Sequence, residues 1–183
     1  MAGSMFYPVK DKGYTWSFYA DTYFKGYLLL DDTDMVLTGQ AACTYIAEYA
    51  NTLQELKALL QGTDGSFAIA RQTPEGLLLV DRARSMPIYY IEFLNIASDS
   101  GEQLRKEAGI AKNDVDPLYL TEFCMSDYVE FENTVYAQIK QLDAGQMAVL
   151  ADGKLQCQYY YRHLAPVVER TEEEVFSQLY RVS

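Results

Sequence analysis

Three strand-like segments follow one another between residues 66 and 93, and they constrain the fold more than any other feature of the sequence. The first two, Ser66–Arg71 and Leu77–Val80, are separated by the letters TPEG, which are typical of a turn. The third, Ile88–Phe93, follows the charged letters DRAR and Pro87. Short turns connect antiparallel neighbours, whereas a parallel pair needs a crossover of about a dozen residues or more. The sequence therefore predicts sheets built from hairpins.

Helices are predicted between these strands. Thr52 and Glu55 form a capping box, and Gly62 ends the apolar pattern that follows it. Asp116 caps another helix, with Pro117 at its first position. The other predicted elements are two strands in 14–30, helices at 40–49 and 101–108, and strands at Ala137–Ile139, Gln146–Leu150 and Leu155–Tyr161. This order predicts an α+β domain with layered, mostly antiparallel sheets.

Composition limits the function classes. The chain has 183 residues, of which 49% are apolar, so a single domain can bury a real core. A net charge of −11 repels phosphate backbones and argues against a nucleic-acid partner. There is no apolar run near about 18 residues and no signal-peptide pattern, so we expect no membrane partner and a cytoplasmic location.

The sequence offers few metal ligands. Cys43, Cys124 and Cys157 form no C-x-x-C pair, so we expect three reduced, mostly buried thiols. His163 stands alone and is interpreted as an ordinary strand-end histidine. The letters DDTD at 31–34 could be read as a metal loop, but acidic turns are commoner and the EF-hand spacing is absent. No metal site is predicted.

The charged residues DRAR at 81–84 are first interpreted as having a structural role and not a catalytic one. Asp81 and Arg82 lie in a turn between paired strands, where the backbone reverses direction at solvent. We expect the Asp81 carboxylate to accept hydrogen bonds from turn amides and Arg82 to fork onto a carboxylate. Arg84 belongs to the same turn, and Pro87 fixes the entry to the next strand.

Three sequence motifs resemble, in order, the N-terminal glutaminase domain of the asparagine synthase family. The members of this family are class II glutamine amidotransferases. The three motifs are LQGTDGSFAIA at 60–70, DRARSMPIYY at 81–90 and TVYAQIKQLDAGQ at 134–146, with Arg84 where the family has glycine. The residues that carry the resemblance are Asp64, Gly65, Asp81, Arg82, Pro87, Tyr90, Ile139 and Gly145.

The resemblance implies a fold and a domain plan. The fold would be a four-layer αββα sandwich of two mainly antiparallel sheets, as in N-terminal-nucleophile hydrolases. Residues 1–5, MAGSM, resemble an expression-tag remnant that ends at a native Met5, and residues 6–165 would form the glutaminase-like domain. Residues 166–183 would be a linker and the start of a helix, capped at Thr171, that leads into a C-terminal synthetase domain.

The resemblance also shows what this sequence lacks. The family begins Met-Cys, and that cysteine supplies both the thiolate nucleophile and the α-amine base. Here Ala2 follows Met1 and Phe6 follows Met5. No arginine that could hold a substrate carboxylate precedes Arg71, and LDDTD at 30–34 stands where the family's N-G-E-I-Y-N phrase is expected. We therefore assign no catalytic, cofactor-binding or metal-binding residue.

The resulting expectation is a degenerate glutaminase-like domain that acts as a scaffold in an ATP-dependent, amide-forming protein, a ligase. The S-G-G-x-D-S phosphate loop is absent from the sequence, so ATP and magnesium are expected only in the synthetase domain. The expected partners are that domain and, as an alternative, a second copy in a homodimer. A stand-alone binding module and an active glutamine amidotransferase with an unusual nucleophile remain as alternative functions.

Overall fold

The computed structural model describes residues 6–9, 14–31, 33, 35–73, 76–151, 154–163 and 171–172. The strands are β1 (Phe6–Tyr7), β2 (Ser17–Tyr19), β3 (Thr22–Leu30), β4 (Met35–Thr38), β5 (Thr63–Arg71), β6 (Leu77–Val80), β7 (Tyr89–Ile91), β8 (Ile96–Ser98), β9 (Lys140–Gln141), β10 (Gln146–Ala151) and β11 (Lys154–Tyr159). The helices are α1 (Gly39–Tyr49), α2 (Leu53–Gln61), α3 (Gly101–Glu107) and α4 (Pro117–Ser126), with a short 3-10 helix at Glu92–Leu94.

The strands form two sheets. The large sheet has seven strands in the order β11-β10-β6-β5-β3-β2, with β4 also paired to β3, and every pairing is antiparallel. The small sheet has four strands in the order β1-β8-β7-β9. Its β1–β8 pair is parallel and its other pairs are antiparallel. Two mainly antiparallel sheets confirm the predicted α+β architecture.

Alternation along β5 and β6 creates the layers of the sandwich. Phe67 and Ile69 pack with buried residues of α1 and α2, whereas the neighbouring Ala68 and Ala70 face the small sheet. In β6, Leu77 and Leu79 belong to the helix side, and Leu78 and Val80 to the side between the sheets. Both faces of a strand are therefore buried, and the period of two residues separates two cores.

A third core lies on the outer face of the small sheet. Ile91 of β7 packs there against Leu104 of α3 and against Ile139, and all three are at most 1% exposed. The described residues thus follow the order helices, sheet, sheet, helices, which confirms the predicted four layers. Helix α4 belongs to this outer side but contains no buried residue.

The predicted helix ends are confirmed. The Thr52 hydroxyl accepts from the Glu55 N–H, and the Glu55 carboxylate accepts from the Thr52 N–H at 2.9 Å, so the capping box closes. The Asp116 carboxylate caps α4 at the Leu118 and Tyr119 N–H groups, with Pro117 at the first helical position.

Some predicted elements were wrong. The strand expected at Ala137–Ile139 is a turn, and the strand β9 begins only at Lys140. The strand expected to reach Phe93 ends at Ile91 and is followed by the 3-10 helix. The sequence analysis also missed β4 and the parallel partner β8. The predicted helix after Thr171 lies outside the described residues except for its first two positions.

Candidate functional site

Asp81 is a buried junction and not a solvent-facing turn residue. Its exposed fraction is 0%, which contradicts the expectation of a turn at solvent. The carboxylate accepts from the Phe67 N–H at 3.1 Å, the Ala83 N–H at 2.8 Å and the Ser85 N–H at 2.9 Å, as expected for an organiser of turn amides. These hydrogen bonds offset the cost of burying the charge.

Arg82 and Gly145 complete this junction. Arg82 Nη2 donates to the carbonyl oxygens of Leu60 and Gln61 at 3.1 and 3.2 Å, so it caps the end of α2 instead of forking onto a carboxylate. Its guanidinium also lies 4.5 Å from the ring centre of Tyr161. Gly145 has φ +68, and a Cβ there would lie 2.4 Å from the Tyr161 carbonyl oxygen, so only glycine fits.

The other resemblance residues also have structural surroundings. Asp64 accepts from the Gly65 N–H at 2.8 Å, and a Cβ on Gly65 would lie 2.4 Å from the Tyr27 carbonyl oxygen. Tyr90 is 4% exposed and Ile139 is 1% exposed, each within a core, and Pro87 leads into buried Ile88. The structure brings Asp81, Arg82 and Gly145 together, and the remaining residues lie elsewhere in the scaffold.

A buried ion pair joins the two sheets, and the sequence analysis did not predict it. Lys25 in β3 places its Nζ 3.1 Å from Asp99 Oδ2, just after β8, and the two side chains are 9% and 5% exposed. The Asp99 carboxylate also accepts from the Val9 N–H and from Trp16 Nε1, both at 2.8 Å. The available signal was a lysine at an inward position of an otherwise apolar strand.

The thiols occupy three different environments. Cys43 is buried, its Sγ donates to the Thr22 carbonyl oxygen at 3.1 Å, and burial raises its pKa. Cys157 is largely exposed, but its Sγ lies 3.5 Å from the Tyr90 hydroxyl, and desolvation raises its pKa. Cys124 is exposed on α4. The expectation of mostly buried thiols is therefore right for Cys43 alone.

The described residues contain no group of three or more His, Cys, Asp and Glu side chains that could hold a metal ion. Asp32 and Asp34, which belong to the acidic letters at 31–34, lie outside the described residues. His163 is exposed, and its Nδ1 lies 3.4 Å from the Tyr161 hydroxyl.

A cavity with mostly apolar walls lies on the outer side of the small sheet, beneath α4 and the segment 127–141. Its volume is about 390 Å³, and its walls include Val129, Val135, Tyr136 and Ile139. Arg84 and Tyr89 supply polar groups to the same cavity. None of its lining residues other than Arg84 and Ile139 was singled out from the sequence.

These features define a class of protein, an αββα sandwich in which the residues that carry the family resemblance stabilise the fold. The family model of the glutamine amidotransferase domain matches residues 47–161, which is more than half of the chain. The chain therefore belongs to this glutamine amidotransferase domain family, as the resemblance implied. A comparison with curated proteins gives no match. Among the described residues, no helix is long and apolar enough to cross a membrane.

Proposed function

We propose that the chain is a catalytically degenerate glutaminase-like domain of an asparagine-synthase-family protein, in which it serves as a scaffold for an ATP-dependent, amide-forming synthetase domain. The observation that carries this proposal is the state of the thiols. An N-terminal-nucleophile glutaminase needs a thiolate with a free α-amine on the same residue. Each thiol of this chain belongs to an internal residue, whose backbone nitrogen is part of a peptide bond.

The environments of the thiols support the same conclusion. A reactive cysteine needs a lowered pKa and access to substrate. Burial raises the pKa of Cys43, which is 0% exposed. Desolvation likewise raises the pKa of Cys157. Phe6, which begins β1, is 1% exposed and packs with Trp16 and Tyr23 in the core between the sheets. An aromatic side chain thus fills the space at the start of the first strand.

The buried ion pair gives independent support. Gly26 has φ +106, and a Cβ there would lie 2.0 Å from the Ser66 carbonyl oxygen, so β3 requires glycine at this point. Lys25-Gly26 is therefore a better counterpart of the family's Asn-Gly than the letters at 30–34. In this alignment a lysine replaces the asparagine amide, and its charge is already paired with Asp99.

Helix α4 supports the scaffold role. Leu118 and Met125 are 72% and 84% exposed, and Phe131 beyond the helix is 69% exposed. Contiguous exposed apolar surface is typical of a site that another domain covers. We propose the synthetase domain as that partner, with ATP and magnesium bound there and not by this domain. The cytoplasm is the proposed location.

The test is glutamate release from glutamine. We expect no turnover by the chain as it stands, and little or none by Phe6→Cys expressed from Met5, because substrate binding and positioning would still be missing. Phe6→Ser is the matched control, since it opens the same space without a thiol. Turnover by the unchanged chain would refute degeneracy, and strong rescue by Phe6→Cys alone would show that only the nucleophile was lost.

The reading frame beyond Ser183 tests the scaffold role. An S-G-G-x-D-S phosphate loop in the next domain-sized stretch, within about 200 residues, would support the synthetase partner. A stop codon directly after this region would favour the stand-alone binding module, which needs no attached enzyme.

A further inference from the structure

The cavity beneath α4 has the size and walls of a small-molecule site. Its volume of about 390 Å³ falls within the usual range for ligand pockets. Val129, Val135 and Ile139 give it an apolar lining, and Phe123 of α4 borders it. Such a cavity can bind the apolar part of a small molecule. The polar groups on its wall determine which polar group the ligand needs.

Arg84 enters this wall at a backbone position that does not suit it. Its φ is +55, in the left-handed region where glycine is favoured and a residue with a Cβ pays a cost in free energy. Its Nη1 donates to the Phe131 carbonyl oxygen at 3.1 Å and lies 3.8 Å from Asp143 Oδ1. No other nitrogen of Arg84 has a hydrogen bond within the described part of the chain, so the guanidinium keeps donors for a ligand.

Tyr89 supplies a second donor on the same wall. A Cβ added to Gly101 would lie 3.5 Å from the Tyr89 ring, and the Tyr89 hydroxyl has no hydrogen-bond partner among the described residues. Arg84 and Tyr89 line the same cavity. Burial raises the pKa of Tyr89, and the charge of Arg84 lowers it in part, so the phenol is a neutral donor in a cavity that also holds a guanidinium.

Two acidic residues also border the cavity. Glu102 is held by Arg105, at 2.8 Å, and by Lys106, at 3.6 Å, so its charge is balanced outside the cavity. Asp127 follows α4 and is exposed at the rim. Arg84 and Tyr89 thus contribute open hydrogen-bond donors to the wall of the cavity.

We propose that this cavity binds a small monocarboxylate with an apolar body, whose carboxylate accepts from Arg84 and Tyr89. A forked guanidinium beside a phenol matches the two oxygens of a carboxylate, and the apolar walls bury the remainder of the ligand. The site lies on the outer side of the small sheet and contains neither Lys25 nor Asp99, so it does not depend on the proposed loss of glutaminase chemistry.

The test uses the full 183-residue chain and defined probes. Hexanoate and phenylacetate are titrated beside hexanamide and phenylacetamide, which have the same apolar bodies without the charge, and binding is followed by saturation-transfer NMR. We expect each carboxylate to bind at least about tenfold more tightly than its amide, the discrimination that one lost charge-assisted interaction produces.

Variants separate binding from folding. Arg84→Gly should abolish the preference for carboxylates while the melting temperature stays equal or rises, because glycine adopts the left-handed conformation freely. Tyr89→Phe should weaken carboxylates severalfold and leave the amides unchanged. Arg162→Gln is the control, since it removes an exposed arginine that stacks on Tyr159 and borders a different cavity.

The proposal fails if the amides bind as tightly as the carboxylates, or if Arg84→Gly keeps the preference. It also fails if no probe binds at millimolar concentration. Tight binding of the uncharged probes alone would identify an apolar anchor site for another protein, which is a different function from the one proposed.

Discussion

The two outer helix layers of the sandwich differ in what holds them. On the large sheet, Ile46 of α1 and Leu56 and Leu60 of α2 are at most 1% exposed. On the small sheet, α3 buries Leu104 alone and α4 buries no residue. Burial of a leucine contributes about 2–3 kcal/mol, whereas a helix cap contributes about 1 kcal/mol. The first layer is therefore part of the core through several buried side chains, whereas the second is anchored by Leu104 of α3 in the third core and by no buried residue of α4.

This difference teaches where the domain can interact without losing its fold. The α4 side is fixed by the Asp116 cap and by a hydrogen bond from the Glu130 N–H to the Glu122 carboxylate at 2.8 Å. Neither contact requires the exposed apolar side chains of the helix. Those side chains can therefore contact a partner or line the cavity beneath them without a cost to the fold.

The largest effect is expected from truncating one leucine in each layer. Leu56→Ala should lower the free energy of unfolding by about 3 kcal/mol, because it opens a cavity in a core position that is 0% exposed. Leu118→Ala, the matched control on α4, should change it by less than about 0.5 kcal/mol. Urea unfolding measures both. Similar losses would mean that α4 is packed more tightly than the structure indicates.

A smaller loss of stability is expected from breaking the ion pair that joins the two sheets. Lys25→Met keeps the apolar stem but leaves the Asp99 carboxylate with only the Val9 and Trp16 donors. We expect a loss of about 2 kcal/mol in the free energy of unfolding, below the usual cost of a broken buried pair because these two donors remain.

The second variant decides how the loss arises. Lys25→Met combined with Asp99→Asn removes both charges, so it should recover part of the lost stability. A double variant that is less stable than the single one would mean that Asp99 acts through its contacts to Val9 and Trp16 and not through the ion pair.

The smallest effect concerns α3. Hydrogen bonds from Arg105 lower the pKa of Glu102 from 4.5 to about 2. A lowered carboxyl pKa gives stability that is present above the unfolded value and is lost as the pH falls toward 2. Side-chain carbon NMR titration should therefore place the Glu102 midpoint near 2, and Arg105→Gln should move it toward 4.5. A wild-type midpoint near 4.5 would show that the surface pair does not persist in solution.

Local rules explain what the sequence could predict. The capping box, the Asp116-Pro117 start and the antiparallel pair of strands β5 and β6 depend on neighbouring residues, and all were confirmed. Eight apolar positions on the predicted helices and strands are at most 4% exposed, and Val149 packs partly against the first core. They are Leu56, Leu60, Phe67, Ile69, Leu78, Val80, Ile88, Tyr90 and Val149.

Contacts between distant segments were not predictable in this way. Lys25 and Asp99 are 74 positions apart, and no periodicity indicates which acid a buried lysine will meet. The parallel pairing of β1 with β8 was equally unpredictable, because strands of two and three residues carry almost no pattern. Asp81 misled for another reason. The residues around Asp81 are typical of a surface turn. Only the fold shows that the loop before β10 covers Asp81, with the Gly145 N–H bound to the Asp81 carbonyl oxygen.

The junction at Asp81 and Arg82 has a consequence for mutational tolerance. Nearly all of its side-chain hydrogen bonds run to main-chain atoms, which belong to Leu60, Gln61, Phe67, Ala83 and Ser85. The Ser85 hydroxyl is the exception. A substitution that keeps the backbone path at those partners leaves the junction intact, while a change of either charged residue removes several contacts at once. A saturation mutagenesis library scored for folding should therefore show that positions 81 and 82 tolerate few substitutions. Their hydrogen-bond partners, such as Gln61, should tolerate many.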